Sequence, residues 1–507
     1  MNKATRTEMS KRNFTVSIMG RIIGMITSFV GRTVFVKSIG AEYLGLGGFF
    51  GNIFGLLSLC ELGFGAAIAQ TLYKPLALGD KDGVSGIVAY YSKIIKRVAC
   101  VSLFLSVAAS AFLPRLIKSG LDLREILAAY YLFCLHSFVS YILIPKRTLV
   151  ICDQRLYIVT AVRSVFGIAA LCTECFVLVT FKSYLFYLAV RITFLAIEDL
   201  IVNRYADKKY PFLSVKRRIV PAYKTEIFSK VKALIYHKAG GILSRCTDSI
   251  LVSLFAGLYG MGKYSNYALI IGTVAAFFDV AINAVASSIG NLGVTDRSDK
   301  SETVMRRLYF LNFCLLTTSC CVIVSTLNQI IGLWLGDQML FSDFEMLVIV
   351  SSFYFSCIRD PVQVFVHSFG LFKQSRYIPI LRAALNFVFS IMFINRIGIA
   401  GVFLGTVLST VLAPLPGEVY VLYKYGFNKK CGKFLKEMLG YIGFSFLSAA
   451  VCFCVTYNMP QSFSGIVLRG GCSFSICLLI IYLVYSRSVY FEYFLLFIKN
   501  VFKKTAN

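Results

Sequence analysis

Charged residues are scarce in this sequence. Only 15% of its 507 residues are Asp, Glu, Lys or Arg, whereas a soluble globular domain carries about 25%. The hydrophobic fraction is 57% and the mean hydropathy is +0.73. This composition excludes the soluble globular classes and predicts a protein embedded in a membrane.

Acidic residues are especially few, with 25 Asp and Glu against 52 Lys and Arg and a net charge of +27. The basic residues lie between long apolar stretches and are not gathered in one basic domain, which favours a topology signal over nucleic-acid binding. Nearly all of the 16 cysteines lie inside apolar runs. They are interpreted as small residues of membrane helices, and neither a disulfide framework nor a zinc site is predicted.

Motifs for catalysis are absent as well. The sequence has no G-x-x-x-x-G-K-[ST] motif and no connection long enough to form a soluble domain, so no ATP hydrolysis is expected. His136, His237 and His367 stand on three different predicted helices and form no metal-spaced cluster. We therefore predict no catalytic residue, no metal ligand and no cofactor, and the chain is interpreted as something other than an enzyme.

Long apolar segments dominate the chain instead. A helix needs about 20 mostly apolar residues to cross the hydrocarbon core of a membrane. Fourteen segments meet this requirement. They are 14–36, 43–69, 98–114, 126–144, 157–180, 184–203, 233–256, 264–289, 308–327, 343–369, 378–395, 398–422, 438–456 and 465–486.

Lys and Arg accumulate in the two tails and in alternate loops, which predicts that both termini are cytoplasmic. The predicted fold is an all-α integral membrane protein with about 14 transmembrane helices. Two pseudo-symmetric lobes of six helices occupy 1–205 and 231–427, a basic cytoplasmic linker occupies 206–230, and two further helices and a basic cytoplasmic tail occupy 428–507.

An internal repeat supports the two lobes. With an offset of about 216 residues, the segment Gly40-Ala41-Glu42-Tyr43 aligns with Ala256-Gly257-Leu258-Tyr259. The two halves would then have the same orientation in the membrane, as in transporters built from parallel repeats.

Basic residues inside the predicted spans are the first candidates for function, because a central Lys or Arg costs roughly 2.5–3.5 kcal/mol on insertion. Arg21 and Arg32 are eleven residues apart, so they return to nearly the same face of the first helix. Lys238 and Arg245 are seven apart on the seventh helix and do the same. Each predicted lobe therefore begins with a cationic stripe, although such arginines can also serve only to bridge helices. Arg359 is a fifth basic candidate.

Acidic residues in the spans are the second set of candidates. Asp248 follows Arg245 at i+3, within pairing distance. Arg359 and Asp360 are adjacent and point apart, so each requires another partner. Asp360 precedes Pro361, and two prolines precede Glu418, which predicts breaks in these helices. The acidic candidates for gating or ion coupling are Glu61, Asp248, Asp279, Asp360 and Glu418.

The second span carries a recognisable motif. Gly40–Gly45 reads Gly-Ala-Glu-Tyr-Leu-Gly, Leu57–Gly65 reads Leu-Ser-Leu-Cys-Glu-Leu-Gly-Phe-Gly, and Tyr73–Leu76 reads Tyr-Lys-Pro-Leu. Together with Ile397–Val402 in the twelfth span, these residues resemble the bacterial polysaccharide flippases of Wzx type, which serve O-antigen, capsule and exopolysaccharide synthesis. That family belongs to the multidrug/oligosaccharidyl-lipid/polysaccharide exporter superfamily. The chain departs from the family in having Glu418-Val419 where Glu-Pro is usual.

The resemblance implies a two-lobed exporter fold in the bacterial cytoplasmic membrane. It implies that an oligosaccharide linked to undecaprenyl pyrophosphate crosses from the inner to the outer leaflet by alternating access through an inter-lobe cavity. Arg21, Arg32, Lys238, Arg245 and Arg359 would contact the pyrophosphate headgroup, since guanidinium groups pair well with phosphate. Coupling to Na⁺ or H⁺ would use the acidic set. Membrane lipids, a polysaccharide polymerase and glycosyltransferases are the other candidate partners.

Two other functions are compatible with the sequence. A cation-coupled multidrug antiporter of the same fold should favour acidic residues over basic ones in its cavity, and the many basic residues in the spans argue against it. A membrane-embedded glycosyltransferase or polymerase would commonly need a long extracytoplasmic loop, and the predicted outer loops are all short.

Overall fold

The computed structural model describes residues 3–61, 63–117, 120–213, 218–295 and 299–493. The secondary structure assigned in these ranges consists of α-helices and short 3-10 or π-helical turns. The same ranges contain no strand, so the all-α prediction is confirmed. The α-helices are α1 (Lys3–Ile39), α2 (Ala41–Leu57), α3 (Phe64–Leu78), α4 (Lys81–Ser110), α5 (Leu113–Leu116), α6 (Leu123–Cys152), α7 (Leu156–Phe181), α8 (Tyr184–Lys209), α9 (Pro221–Thr295), α10 (Asp299–Leu335), α11 (Asp343–Cys357), α12 (Asp360–Ser368), α13 (Phe372–Ser375), α14 (Ile378–Ile397), α15 (Ile399–Leu412), α16 (Pro414–Val421), α17 (Gly432–Thr456) and α18 (Phe463–Tyr485).

All fourteen predicted spans fall on these helices. Within the described ranges, nine helices are individually long and apolar enough to cross a membrane. The predicted spans 43–69 and 343–369 are each divided between two helices shorter than 18 residues, α2 with α3 and α11 with α12. The predicted fold class is therefore confirmed, with some spans built from two pieces.

The breaks occur where the sequence cannot continue a helix. The span 43–69 passes through a 3-10 turn at Ser58–Glu61 and a left-handed Gly63. The span 343–369 breaks next to Pro361, and the span 398–422 breaks next to Pro414, where the missing proline N–H is tolerated in the first turn of the next helix. The two breaks predicted from proline are thus confirmed.

Two glycines give the internal repeat a structural basis. Gly40 separates α1 from α2 with φ 90° and ψ 175°. Gly257 divides α9 into two helices with φ 68° and ψ −177°. Glycine adopts this region at no steric cost because it has no Cβ. The equivalent residues are therefore 217 apart, and the sequence alignment at offset 216 was wrong by one residue at this point.

The chain divides into two compact units, Met1–Gly262 and Lys263–Asn507. In the first unit, α1 packs on α7, and α6 packs on α4 and α8. Its apolar core is centred on Ile68, Leu72, Ile87 and Leu149, which are fully buried. The lobe and linker boundaries derived from the sequence remain a prediction.

In the second unit, α14 and α15 form a tight hairpin, and α10 packs on α11, α17 and α18. Small polar side chains join the last two helices to α10. The hydroxyl groups of Thr317 and Ser445 lie 2.7 Å apart, and Ser473 donates to Ser325 over the same distance. Small residues of this kind let membrane helices approach closely and bond to one another. The last two predicted helices are therefore an integral part of this unit.

Candidate transport site

The predicted cationic stripe of the first helix lies on an unbroken helix. Arg21 and Arg32 belong to the segment Thr15–Ile39 of α1, which has a mean hydropathy of 1.4. Arg21 is exposed and Arg32 is half-buried. Because eleven residues make about three helical turns, both arginines lie on nearly the same face.

Arg32 belongs to a polar cluster in the first unit. It interacts electrostatically with Tyr187 and Arg191 of α8. The Nη1 atom of Arg191 donates to the Tyr187 hydroxyl at 2.6 Å, and Glu174 of α7 faces Arg191. Charges of both signs thus converge where the apolar helices α1, α7 and α8 meet, with Arg191 exposed and Arg32 and Glu174 half-buried. Such an arrangement is expected along a pathway for polar cargo or ions.

A second set of charges connects α6 to α8. Arg147 donates to Asp199 at 2.8 Å and lies 3.6 Å from Glu198, which Arg163 also faces. Glu174, Glu198 and Asp199 are not among the residues predicted from the sequence. They could have been found by the criterion applied elsewhere, because each is an ionisable residue within a predicted span.

Glu61 lies at the break in the second span. Its half-buried side chain contacts the backbone near Gly65 and faces Tyr91 of α4. A carboxylate at a helix break is surrounded by backbone groups that the helix does not use, so it can exchange partners when the break changes shape.

The second unit has its own charged cluster at the breaks of two spans. The Nη1 atom of Arg359 donates to the Oε1 atom of Glu418 at 2.7 Å. Arg382 of α14 also faces Glu418, and Asp360 interacts with Asp279 and Glu418. The structure thus brings together four of the predicted site residues, Asp279, Arg359, Asp360 and Glu418, and pairs two of them directly.

The other predicted residues lie on the first part of α9. The side chains of Lys238 and Arg245 fall outside the described residues, so the second cationic stripe remains a prediction. Asp248 is half-buried on the same helix. Among the side chains that the structure describes, no three His, Cys, Asp or Glu residues are grouped as a metal site requires.

Comparisons with known proteins find matches by structure and none by sequence. No protein-family model matches the sequence, and a search of curated proteins gives no match. The lipid II flippase MurJ in an inward closed conformation superposes with a TM-score of 0.62 at 13% identity, over 94% of this chain and 98% of that chain.

Multidrug transporters superpose as well. An inward-facing multidrug resistance MATE family transporter of the MOP superfamily gives a TM-score of 0.62 at 11% identity, over 78% of this chain and 94% of that chain. A MATE transporter of Vibrio cholerae gives 0.55 at 14% identity, over 83% and 97%. The chain therefore has the membrane-transporter fold shared by the MurJ lipid flippase and the MATE transporters.

Proposed function

We propose that this protein flips an oligosaccharide linked to undecaprenyl pyrophosphate from the cytoplasmic to the outer leaflet of a bacterial inner membrane. The proposal assigns the headgroup to the basic residues of the spans and ion coupling to the acidic ones. Alternating access would expose the headgroup site first to one side of the membrane and then to the other.

The observation that carries the proposal is the pair of arginines on α1. Arg21 and Arg32 are exposed and half-buried, respectively, in a segment apolar enough to cross the membrane. A guanidinium group at membrane depth is costly unless it meets water, an anion or a polar group of the protein. Pyrophosphate is an anion that arginine binds through paired hydrogen bonds, so a lipid-linked pyrophosphate fits the charge that these residues present.

The extent of the structural matches also supports a lipid-linked cargo. The match to the lipid II flippase covers 94% of this chain, so it reaches into the segment 428–507, whereas the matches to the two MATE transporters cover 78% and 83%. The structural match to the lipid flippase thus covers a larger share of this chain than the matches to these two drug transporters do.

The acidic cluster of the second unit supports the coupling assignment. The Arg359–Glu418 pair is nearly buried, with side chains 14% and 7% exposed, and Asp360 and Asp279 lie close by. A bound proton or Na⁺ would change the charge balance of this cluster and so weaken or strengthen the pair. We assign Asp279, Asp360 and Glu418 to this role, with Glu61 and Asp248 as further candidates in the first unit.

A cation-coupled multidrug antiporter is the second candidate, because the MATE transporters share the fold with a TM-score as high as 0.62. The same acidic residues would then bind the cargo or the coupling ion. Arginines on α1 would have no evident task in moving a cationic drug.

The test is to deplete the protein in its host and to measure undecaprenyl-linked oligosaccharide on the inner leaflet, with variants added back. Arg32→Gln is expected to lower flipping by about tenfold or more, the loss of a charge-assisted contact. Arg32→Lys should restore part of the activity because the charge returns. Lys37→Gln, which removes an exposed charge from the end of the same helix, is the matched control and should flip normally.

All variants must accumulate in the membrane to the level of the wild type. Depletion that leaves the lipid-linked oligosaccharide unchanged would overturn the proposal. If depletion also sensitises the host to cationic drugs, the antiporter becomes the better assignment.

A further inference from the structure

The second unit contains a polar cavity apart from its charged cluster. The cavity has a volume of about 630 Å³ and lies where α10 ends and α11 begins, beside the loop between α17 and α18. Asn328, Gln329, Asp337, Asp343 and Gln461 line it. Cavities of roughly 300–1,000 Å³ accommodate small molecules, so this one has room for a short oligosaccharide.

Two of the lining side chains each carry a buried polar atom that lacks a hydrogen-bond partner among the described residues. These atoms are the Oε1 atom of Gln329, an acceptor, and the Nε atom of Arg469, a donor. Leaving such a group unpaired costs about 1–3 kcal/mol. A ligand that both donates and accepts hydrogen bonds would satisfy the two atoms once the two side chains turn toward the cavity.

The charges of the cavity argue against an anionic ligand. Asp337 and Asp343 oppose a single arginine, Arg469. That guanidinium already donates to the backbone carbonyls of Tyr457 and Met459, so it is held in place by the protein itself. A phosphate would meet two carboxylates and one arginine whose Nη2 atom already donates to the protein.

Neutral hydroxyl groups fit the same wall. A hydroxyl donates to a carboxylate or to the amide oxygen of Gln329 and accepts from the Nε atom of Arg469. Phe341, Phe453 and Tyr457 add flat apolar surfaces to the lining. The C–H faces of sugar rings pack on such surfaces, and a few fixed polar groups then orient the ligand.

We propose that this cavity binds a neutral saccharide on the side of the membrane opposite the termini, which the distribution of basic residues predicts to be extracytoplasmic. The saccharide would be the oligosaccharide unit that has just crossed the membrane. The choice of this unit rests on the proposed function, whereas the chemistry of the cavity calls only for a neutral polyhydroxylated ligand.

The protein offers its own fluorescent probe. Trp334 is the only tryptophan of the chain and follows directly after Leu333, which lines the cavity. The full-length protein in lipid nanodiscs would be titrated with the free repeating unit of the host's surface polysaccharide, with maltotriose and with inorganic pyrophosphate. Trp334 emission and titration calorimetry would be recorded in parallel, and calorimetry decides whether binding occurs.

Gln329→Leu is the decisive variant. It replaces an amide whose buried Oε1 atom lacks a partner among the described residues by an apolar group of similar size, so it should not lower thermal stability. It should weaken saccharide binding about five- to tenfold, the loss of one hydrogen bond. Gln338→Leu makes the same chemical change at an exposed residue that does not line the cavity, and it should bind like the wild type.

Saturable binding of the repeating unit that weakens in Gln329→Leu but not in Gln338→Leu would support the inference. No saturable binding of either saccharide, equal binding by both variants, or binding of pyrophosphate in preference to saccharide would overturn it. Because the titration requires neither a lipid-linked substrate nor transport, a flipping assay that fails while saccharide binding persists would overturn the proposed function alone. Normal flipping without saccharide binding would overturn this inference alone.

Discussion

Gly45 and Gly262 make reciprocal contacts. Gly45 of α2 lies against the backbone carbonyl of Leu258, and Gly262 of α9 lies against the backbone carbonyl of Ala41. Gly45 and Gly262 are 217 residues apart, and so are Ala41 and Leu258. Gly40 and Gly257 have the same separation, so the two contacts join equivalent positions of the repeat. Each helix therefore presents the same pair of positions to the other, as in an isologous interface between two copies of one chain.

This crossing predicts a sharp difference between two glycines of α2. A Cβ at position 45 would overlap the Leu258 carbonyl, whereas a Cβ at Gly51 meets no atom within 4 Å. Gly45→Ala should destabilise the protein by about 1–3 kcal/mol, the usual cost of overpacking. Gly51→Ala should be neutral or stabilising, since alanine favours the helix. The midpoints of thermal unfolding in detergent would measure this, and equal midpoints for the two variants would refute the crossing.

The ion pair between Arg359 and Glu418 should respond to single and double substitution in opposite ways. Removing one partner leaves a buried charge unpaired and costs about 3–5 kcal/mol, whereas replacing both by apolar residues is often nearly neutral. We expect Glu418→Leu to lower the unfolding midpoint strongly and Arg359→Met combined with Glu418→Leu to recover most of it.

The pair of Lys146 and Asp207 is the matched control for that experiment, since its side chains are 36% and 54% exposed. Loss of an exposed pair costs less than about 1 kcal/mol. If Asp207→Leu were as harmful as Glu418→Leu, or if the double variant recovered nothing, burial would not be what makes the Arg359–Glu418 pair important.

The attachment of α18 to α10 can be tested at two serines of one helix. Ser473 is buried and bonded to Ser325, whereas Ser475 is exposed. Ser473→Leu should cost about 1–3 kcal/mol because the larger side chain separates two closely packed helices. Ser475→Leu adds the same volume on the exposed face and should leave the unfolding midpoint near that of the wild type. A similar loss of stability in both variants would mean that the contact between Ser473 and Ser325 does not hold α18 against α10.

The predicted topology can be tested at the two loops that flank α17. The basic segment 428–431 before this helix should be cytoplasmic, and the loop 457–462 after it should be outside. A fluorescent protein fused after 430 should fluoresce, and alkaline phosphatase fused after 459 should be active. The opposite pattern would place the saccharide cavity on the cytoplasmic side.

Local sequence signals were sufficient to predict the helices and their breaks. Runs of apolar residues marked all fourteen spans, and Pro361 and Pro414 marked two of the interruptions, because proline acts on its own turn of helix. The repeat was also visible, although the low similarity of the halves left the alignment wrong by one residue. Only the backbone angles of Gly40 and Gly257 fixed the register.

Pairings between distant residues could not be predicted in the same way. Arg147 and Asp199 are 52 residues apart and Arg359 and Glu418 are 59 apart, so helix packing decides which charges meet. The sequence predicts Arg359 as a headgroup contact and Glu418 as a coupling residue, but it does not predict that the two side chains face one another. The polar cavity was missed because each of its walls, taken alone, is an ordinary helix end.

The two walls of that cavity are made at different times during synthesis. One comes from residues between Val324 and Met346, and the other from residues between Phe453 and Arg469, about a hundred residues later. At roughly 5–20 residues per second, the ribosome needs on the order of 5–20 s to supply the second wall. The cavity is thus completed only when α18 enters the membrane, after α10 to α17 have been made.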